Sequence, residues 1–516
     1  MKRPNVLLIT SDQQHFSTLS HAANNPHIST PNLDRLAKMG MNFTRAYCPN
    51  PTCTPTRASI LTGQYPSVHG AWSLGCKTPE NITFVGDLFR QAGYDASLIG
   101  KAHFQPLADL PDRPETHSVE RQPHVRDMDL WRRFNQTHMP WYGFNHIETS
   151  RNHADEAHVG GHYALWMESK GLTNWQDYFD LPEKPYSRRQ KHKWTLPEEY
   201  HYSVWTAERT IARIDHCVAS DTPFFCWSSF HDPHPPYLVS EPWDAMYDPA
   251  DVQIGHLHKN ADGSSELDKM PPPHRMTQQP DADWSGFLES GHYSHGYHHH
   301  PHDEAALRQN VAVYYGMVSL MDREIGRILD ALERLDVLDD TLIVFTTDHG
   351  HYYGHHGLIA KGAFHYDDGI RVPFLAAWPG KIAPDSSTAA ITNLVDLAPT
   401  FLEACGLTVP QCMQGKSQLP VWFGEKQQVN DSTFCEFHHQ PQSVHLRTFI
   451  NDRYKLTLYR DHPDWGELFD LQDDPGEINN RFDDPACASV KQQLFEQMVY
   501  ADIQREPMLT PRLAGA

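Results

Sequence analysis

The chain has 516 residues, more than a single hydrophobic core usually serves, so we expect at least two packed units. Hydrophobic residues make up 39% and charged residues 21%, which is typical of globular proteins and not of disordered or membrane-spanning ones. The formal net charge of −22 at pH 7 argues against nucleic acid as a partner, and no apolar run is long enough to cross a membrane.

The first residues and the cysteines bear on the compartment. The apolar run in MKRPNVLLIT is shorter than the core of a signal peptide, so we interpret it as a first strand. The nine cysteines are an odd number without a C-x-x-C pair, which argues against a disulfide framework and a zinc ribbon. We therefore expect a cytoplasmic protein without membrane contact, and the sequence leaves open whether it forms a homo-oligomer.

Four apolar runs are each followed by polar residues. They are NVLLIT (5–10), ASLI (96–99), TPFFCWSSF (222–230) and TLIVFTT (341–347). Apolar residues recurring every three or four positions from Leu307 to Leu335 predict a long helix before the fourth run. This alternation favours an α/β fold with a large mostly parallel or mixed sheet sandwiched by helices. Such sheets bind ligands beyond the carboxyl ends of their strands, where we expect Asp12, Lys101, His231 and Asp348 to meet.

The domain prediction follows the change in sequence pattern. We expect an α/β domain over residues 1–420, with long surface insertions at about 105–200 and 235–305 that are rich in Pro, His, Trp and Asp. Short alternating segments then predict a smaller C-terminal α+β subdomain, residues 421–516, with an antiparallel sheet. A helix at about 489–504 would close this subdomain.

One group of residues suits a metal ion. Asp12, Gln13, Asp348 and His349 offer three oxygen donors and one imidazole, which suits a single hard divalent cation such as Ca²⁺, Mg²⁺ or Mn²⁺. The alternative for Asp348 is an ordinary turn or helix-capping role in DHG.

A second group suits a tetrahedral oxyanion. Lys101 and Lys361 are flexible point charges beside glycines, and Arg57 is a planar fork that binds oxyanions. The alternative for each is a solvated surface charge.

Histidines are candidates for proton transfer because they titrate near neutrality. His103, His231 and His234 follow predicted strands, whereas most of the 35 histidines are expected to be incidental. The tract GHYSHGYHHHPH (291–302) lacks ordered ligand spacing, so we interpret it as a solvated loop.

Cys53 lies in NPTCTPTRASILTG, where a loop leads into a predicted helix with Gly63 as its C-cap. Helix amide groups at that end would favour an anion and lower the pKa of the thiol, which makes a thiolate nucleophile one interpretation. A thiolate is a poor match for a hard cation, however, so another chemistry is expected at this position.

CTPTR (53–57) followed by ASILTG resembles the signature of type I sulfatases, which belong to the alkaline phosphatase superfamily. In that family a separate formylglycine-generating enzyme oxidises the cysteine of C-x-P-x-R to formylglycine. The resemblance covers nearly the whole chain, in family order: NVLLITSDQQ, GYDASLIGKAHF, HDPHPPY, TLIVFTTDHG, LIAKGAFHYDDGIRVPFLAAWPG and ELFDLQDDPGEINN.

The resemblance implies a metal site and a nucleophile. Asp12, Gln13, Asp348 and His349 would bind the cation, with Ca²⁺ expected first, together with the oxygen of modified Cys53. One hydroxyl of the hydrated aldehyde would attack the sulfur, and the second would later expel sulfate.

The resemblance also implies roles for the cations and histidines. Lys101 and Lys361 would neutralise the sulfate oxygens, and Arg57 would steady the diol. His231 would protonate the leaving alcohol, and His103 would act as the base. Apart from the resemblance, His234 is a candidate substrate contact, and the aromatic, histidine-rich segment 152–166 with His162 is a candidate lining of a sugar pocket; the alternative for its Trp and Tyr residues is the core.

Three functions follow as hypotheses. The leading one is hydrolysis of a sulfate monoester, on a saccharide or another small molecule. Gln13 replaces the second aspartate of the commonest sulfatase pattern, which resembles choline sulfatases and phosphonate monoester hydrolases. His349 stands where many members have asparagine, which resembles iduronate sulfatases and the phosphonate hydrolases. Phosphonate monoester or phosphodiester hydrolysis with Mn²⁺ is therefore the second hypothesis. The third is a non-catalytic anion- or metal-binding protein with an unmodified Cys53.

Overall fold

The computed structural model describes residues 3–107, 117–121, 126–150, 159–179, 192–256, 265–279, 283, 304–438 and 444–509. The histidine-rich tract at 291–302 lies outside these residues.

The strands, in chain order, are β1 (Asn5–Ser11), β2 (Met41–Phe43), β3 (Ala46–Tyr47), β4 (Asp95–Lys101), β5 (His146–Ser150), β6 (His192–Trp194), β7 (Phe224–Ser229), β8 (Leu238–Ser240), β9 (Thr341–Thr347), β10 (Arg371–Val372), β11 (Phe374–Ala377), β12 (Ser386–Thr388), β13 (Thr392–Asn393), β14 (Ser432–Phe437), β15 (Leu446–Asn451), β16 (Tyr454–Tyr459) and β17 (Gly466–Asp470).

The α-helices, in chain order, are α1 (Pro31–Met39), α2 (Cys53–Thr62), α3 (Pro66–His69), α4 (Val85–Gln91), α5 (Met128–Thr137), α6 (Gly161–Ser169), α7 (Tyr202–Ala219), α8 (Pro272–Met276), α9 (Glu304–Arg334), α10 (Asp367–Ile370), α11 (Leu397–Ala404), α12 (Leu419–Trp422) and α13 (Ala488–Gln504).

The main sheet confirms the predicted fold class. Its eight strands run in the order β12-β2-β11-β9-β1-β7-β4-β5, and the five strands from β9 to β5 are parallel. β11 pairs antiparallel with β9 and β2, so the sheet is mixed at that side. The four predicted strands are β9, β1, β7 and β4, which are neighbours, and their carboxyl ends therefore lie at one edge.

Helices cover both faces of this sheet, as an α/β fold requires because each face is apolar. Side chains on one face, including Leu7, Ile9 and Phe345, pack with apolar residues of α1, α7 and α9. Val6 and Leu8 point to the other face and pack with α2, α4 and α11. The predicted long helix is confirmed as α9. It has 31 residues, and in the described part of the chain no helix combines the length and apolar character that a membrane span requires.

The C-terminal sheet is the antiparallel one that the sequence predicts. β14, β15, β16 and β17 pair in that order, and α13 packs against them through Leu494 and Met498. This sheet contacts the loop before Cys53, because Asn50 Nδ2 donates a 2.6 Å hydrogen bond to the carbonyl of Glu436. The boundary at residue 420 stays a prediction.

The interpretation of residues 105–200 as surface insertion is wrong for part of that range. β5 is an edge strand of the main sheet, and α5 places Trp131 and Phe134 in the core beside it. Trp166 and Trp175 belong to a further buried cluster. Sequence periodicity missed these elements because they are short and separated by polar connections.

Candidate functional site

The edge formed by the carboxyl ends of β9, β1, β7 and β4 gathers the candidate residues. Asp12 and Gln13 follow β1, Lys101 ends β4, His231 and His234 follow β7, and Asp348 and His349 follow β9. All seven of these residues are buried. The structure therefore brings the four strand ends together, as the sequence predicts.

The position of Cys53 is fixed by the turn before it. Cys53 is the first residue of α2, and Thr52 has extended backbone angles. Asn50 anchors the turn, because its Oδ1 accepts a 2.9 Å bond from Thr52 N and its carbonyl accepts a 2.6 Å bond from Thr56 Oγ1. Gly63 ends the helix in the left-handed region, at φ 64°, which confirms it as the C-cap.

Four side chains surround the Cys53 sulfur, which is fully buried. Lys361 Nζ lies at 2.9 Å, His349 Nε2 at 3.2 Å, Lys101 Nζ at 3.6 Å and Asp12 Oδ1 at 3.8 Å. The side-chain end of residue 53 is therefore in reach of two ammonium groups, an imidazole and a carboxylate.

The interpretation of Cys53 as an acidic thiol, which its poor match with a hard cation already disfavours, is contradicted by its burial. Burial raises the pKa of the thiol, and the nearby Lys361 offsets this only in part. Burial outweighs the amide groups at the start of α2 because removing a thiolate from water costs more than one helix end returns. The thiolate interpretation loses its physical support.

Arg57 lies one turn after Cys53 on the same face of α2. Its Nε donates a 2.8 Å bond to Asp348 Oδ2, and its Nη1 donates 2.9 Å bonds to the carbonyl of Lys101 and to Ser229 Oγ. These contacts join three strand ends to the helix. Its Nη2 has no hydrogen-bond partner among the described residues.

Asp12, Cys53, Asp348 and His349 form a candidate metal centre, with ligand atoms within 4.8 Å of one another. Gln13 supports this assignment, because both polar atoms of its fully buried side chain lack a hydrogen-bond partner within the described ranges. Leaving an amide buried and unbonded is costly, so a ligand is expected beside it. Carboxylates and an amide oxygen fit the hard divalent cation that the sequence predicts.

The protonation states of Asp348 and His349 also suit a cation, because the carboxyl group is ionised and the imidazole is neutral. Burial opposes ionisation of Asp348, but His349, Arg57 and the two lysines outweigh it and hold the pKa of Asp348 well below its usual range. Burial lowers the pKa of His349 to about 3 despite the attraction of Asp348, so this imidazole is neutral at neutral pH. His349 Nδ1 faces the carbonyl of Gly350 at 2.9 Å, which directs the lone pair of Nε2 toward Cys53.

The two lysines contact different partners. Lys101 Nζ forms an ion pair with Asp12 Oδ2, with both side chains fully buried. Lys361 Nζ lies 2.8 Å from His234 Nε2 as well as against Cys53. Gly100 allows β4 to approach β7 here, since a Cβ at that position would clash with the carbonyl of Ser229.

The structure places His103 two residues after Lys101. Burial, followed by the charges of Lys101 and Lys361, holds the pKa of His103 well below its usual range. Its Nδ1 is buried without a partner among the residues described here. His103 is therefore a neutral imidazole with one buried ring nitrogen that lacks a partner among these residues.

His231 is 4% exposed, and its ring lies 5.3 Å from that of Tyr202. The segment is tied to the metal centre, because Asp12 N donates a 3.0 Å bond to the carbonyl of Asp232.

His162 lies in a different environment from the other candidates. Its Nδ1 accepts a 3.1 Å bond from Thr149 N, and its ring packs edge-on against Trp131 and Phe134. Its role as a substrate contact stays a prediction.

Sequence reasoning missed three residues that hold the site in place. Ser229 binds Arg57, and Glu120 accepts a 2.7 Å bond from His103 N. Tyr314 of α9 donates a 2.9 Å bond to the carbonyl of Gln13. In the sequence, Tyr314 is one of the apolar positions that predict the amphipathic helix α9. Its hydroxyl group is the one feature that could have indicated a hydrogen bond at the site.

Comparisons with known proteins match nearly the whole chain. The family model described as Sulfatase matches residues 4–407, and the model described as N-sulphoglucosamine sulphohydrolase, C-terminal, matches residues 354–504. The multifunctional alkaline phosphatase superfamily protein PehA of Trinickia caryophylli is 29% identical, over 95% of this chain and 93% of its own length.

Two further relatives extend this pattern. The N-acetylglucosamine-6-O-sulfatase of Bacteroides thetaiotaomicron is 26% identical over 96% of this chain and 85% of its own length. The crystal structure of the phosphonate monoester hydrolase of Agrobacterium radiobacter has a TM-score of 0.76 at 24% identity, covering 98% of this chain and 96% of that one. The likeness to the phosphonate monoester hydrolase structure shows the fold alone.

Proposed function

Because this chain belongs to the sulfatase family, and is thereby a hydrolase acting on sulfate esters, we propose that its substrate is the sulfate monoester of a saccharide or another small molecule. The reaction would consume one water and release an alcohol and inorganic sulfate. A sulfated sugar is favoured by the relative that is named an N-acetylglucosamine-6-O-sulfatase. A cytoplasmic location belongs to the same proposal.

The observation that carries this proposal is the environment of Cys53. Two lysine ammonium groups lie 2.9 and 3.6 Å from its sulfur, in a site that excludes water. Fixed cations in a dry site stabilise a tetrahedral oxyanion far more than they would in solution. The raised pKa of the thiol argues against a thiolate nucleophile. The CTPTR segment favours conversion of Cys53 to formylglycine instead, whose hydrate would be the nucleophile.

The chain's residues have separate tasks in this proposal. Lys101 and Lys361 bind the sulfate oxygens, and Arg57 keeps Asp348 ionised and in place. A divalent cation, with Ca²⁺ expected before Mn²⁺ or Mg²⁺, would be held by Asp12, Gln13, Asp348, His349 and the oxygen of residue 53 and would supply further positive charge.

Proton transfer falls to the histidines. His231 would protonate the oxygen of the leaving alkoxide, and His103 would accept a proton from the nucleophile. His103 is neutral, and its Nδ1 has no hydrogen-bond partner within the described ranges. His234 orients Lys361 through the 2.8 Å contact and adds a substrate contact.

The mass of the tryptic peptide from Ala46 to Arg57 tests the modification. Protein from the native host should give a peptide lighter by the difference between a thiol and an aldehyde. Cys48 in the same peptide is an internal control, since it should remain a thiol. An unmodified Cys53 in material that shows no ester hydrolysis would instead support a non-catalytic anion- or metal-binding protein.

A second candidate is phosphonate monoester or phosphodiester hydrolysis with Mn²⁺. It is favoured by the neutral Gln13 and His349 in the metal centre and by the multifunctional superfamily relative. Rates on an aryl sulfate and on an aryl phosphonate monoester, each with Ca²⁺ and with Mn²⁺, separate the two. Faster turnover of the phosphonate with Mn²⁺ would displace the sulfate ester as the substrate class.

A further inference from the structure

A second cluster of metal-binding side chains lies outside the candidate site. His15 Nε2 is 2.9 Å from Asp368 Oδ1, and His355 Nδ1 is 3.3 Å from the same oxygen. These three ligand atoms lie within 4.8 Å of one another. His15 and Asp368 are buried, and the side chain of His355 is 30% exposed, which leaves a path to solvent.

A fourth residue points at this cluster. His356 is 1% exposed, and its Nε2 has no hydrogen-bond partner among the described residues. That atom lies 3.8 Å from Asp368 Oδ2. The other ring nitrogen, Nδ1, lies 2.6 Å from Glu266 Oε1. A histidine bound to a carboxylate through one nitrogen, with its other nitrogen unbonded, is the arrangement that metal-ligating histidines have.

We propose that His15, His355 and Asp368, with His356 as the fourth ligand, form a second cation site that takes a borderline divalent ion such as Zn²⁺. Three imidazoles and one carboxylate are the donors that zinc prefers, in contrast to the oxygen-rich centre at Asp12. Bonds of about 2.0–2.2 Å in a tetrahedron place ligand atoms about 3.3–3.5 Å apart. The separations of 2.9 and 3.3 Å from Asp368 Oδ1 to His15 and His355 lie near this value. His356 Nε2, 3.8 Å from Asp368 Oδ2, is outside the group of three ligand residues within 4.8 Å of one another, so it would move inward to complete the site.

Aromatic side chains hold the rings in orientation. The ring of His15 stacks on that of Tyr353 at 5.1 Å, and the ring of His356 stacks on that of Tyr366 at 3.5 Å. Rings fixed in this way lose little freedom when they bind an ion.

An ion at the second site would also hold the residues of the first metal centre, at Asp12, in position. His15 lies two residues after Gln13, and Gly350, next to His349, donates a 2.9 Å bond to the carbonyl of Gly369, next to Asp368. An ion at the second site would therefore cross-link the two backbone segments that carry Gln13 and His349.

Zinc binding to the full-length, untagged chain tests the proposal. Equilibrium dialysis should give one tight equivalent that His355→Gln and Asp368→Asn remove, each lowering the affinity at least tenfold. Glu266→Gln, which alters the carboxylate facing His356 Nδ1 and also the 2.9 Å contact of Glu266 with His256, should lower it about 10- to 100-fold. The same equivalent should persist in Asp12→Asn, which alters the first centre.

Two controls guard against other zinc ligands. His21→Gln changes an exposed histidine. The triple variant His298→Ser, His299→Ser and His300→Ser removes three histidines from the histidine-rich tract. Both should keep the tight equivalent. Cobalt(II) bound to the second site should show the strong visible absorption of tetrahedral coordination, and His355→Gln should abolish it. Zinc binding and cobalt spectra unchanged in His355→Gln and Asp368→Asn, with both variants folded by circular dichroism, would overturn the proposal.

Discussion

Arg57 Nε and Asp348 Oδ2 form a 2.8 Å ion pair in which the two side chains are 0% and 1% exposed. The pair connects the helix that begins at Cys53 to the strand end that carries His349. A charge buried this deeply is stable only while its partner is present, since neither group can recover its hydration.

Removing Arg57 should therefore be costly for the fold as well as for activity. We expect Arg57→Ala to lower the free energy of unfolding by about 3 kcal/mol, because Asp348 Oδ2 loses its guanidinium partner in a buried site and the nearby lysine charges offset this only in part. Denaturant unfolding measures this. Arg35→Ala is the matched control, since Arg35 pairs with Asp330 and Glu333 at the surface and should cost about 0–1 kcal/mol. Equal losses for the two variants would contradict the argument.

Lys361 should contribute to the reaction and not to the stability. Lys361→Ala is expected to lower kcat by about 10²–10³-fold, as for one preorganised electrostatic donor. Lys381→Ala, at an exposed position, should leave kcat unchanged. Steady-state rates on one sulfate ester, with unfolding curves for both variants, test this. A normal kcat in Lys361→Ala would show that the 2.9 Å contact with Cys53 has no catalytic use.

The sequence predicted more of this site than of the chain around it, and the reason is physical. Apolar runs followed by polar residues locate strands and their ends, and parallel strands bring those ends together, so Asp12, Lys101, His231 and Asp348 could be grouped without a structure. Supporting contacts carry no such signal. Ser229 and Glu120 act through hydrogen bonds between segments distant in sequence, which periodicity cannot reveal.

The same limit applies to short elements and to pKa values. β5 has five residues between polar connections, too few for a clear alternating pattern. The place of Cys53 at a helix start favours a lowered thiol pKa, whereas burial by the surrounding chain raises it, and sequence alone does not show that burial.

Leaving-group dependence tests the role of His231. His231→Ala should slow hydrolysis of an alkyl sulfate far more than that of a nitrophenyl sulfate, because a good leaving group departs without protonation. The ratio of the two rates should therefore rise in the variant relative to the unmodified chain. His216→Ala, on the last turn of α7, is the matched control and should leave the ratio unchanged. A uniform loss on both esters would assign His231 to binding or folding instead.

Glu148 should make stability pH-dependent in acid. Burial opposes its ionisation, but hydrogen bonds from His146 and Arg209 lower its pKa to about 2, against about 4.3 in an unfolded chain. A lowered carboxyl pKa stabilises the fold above the unfolded value, and this contribution is lost as pH falls from about 4.3 toward 2. Glu148→Gln should therefore cost about 2 kcal/mol at pH 7, after allowing for the partly exposed Arg209.

Urea unfolding at pH 7 and at pH 3 measures this difference. The gap between the unmodified chain and Glu148→Gln should shrink by about half or more at the lower pH. Asp129→Asn, at an exposed ion pair with Arg132, should show a small gap at both values. A gap that stays constant with pH would mean that packing and not charge accounts for the loss.

Gln13 should set the strength of cation binding at the first centre. Its amide is buried without a partner in the described structure, and it is neutral where a carboxylate would add charge. Gln13→Asp should raise the affinity for Ca²⁺ on the order of tenfold, because affinity for hard cations grows with the ligand charge. Gln13→Leu, which roughly keeps the side-chain volume and removes the amide oxygen that would bind the ion, should lower the affinity for Ca²⁺.

Calorimetric titration of the chelator-treated protein compares these variants with Gln427→Asp, which adds the same charge at an exposed position and should leave the affinity unchanged. An affinity for Ca²⁺ that does not respond to either change at Gln13 would remove this residue from the metal centre.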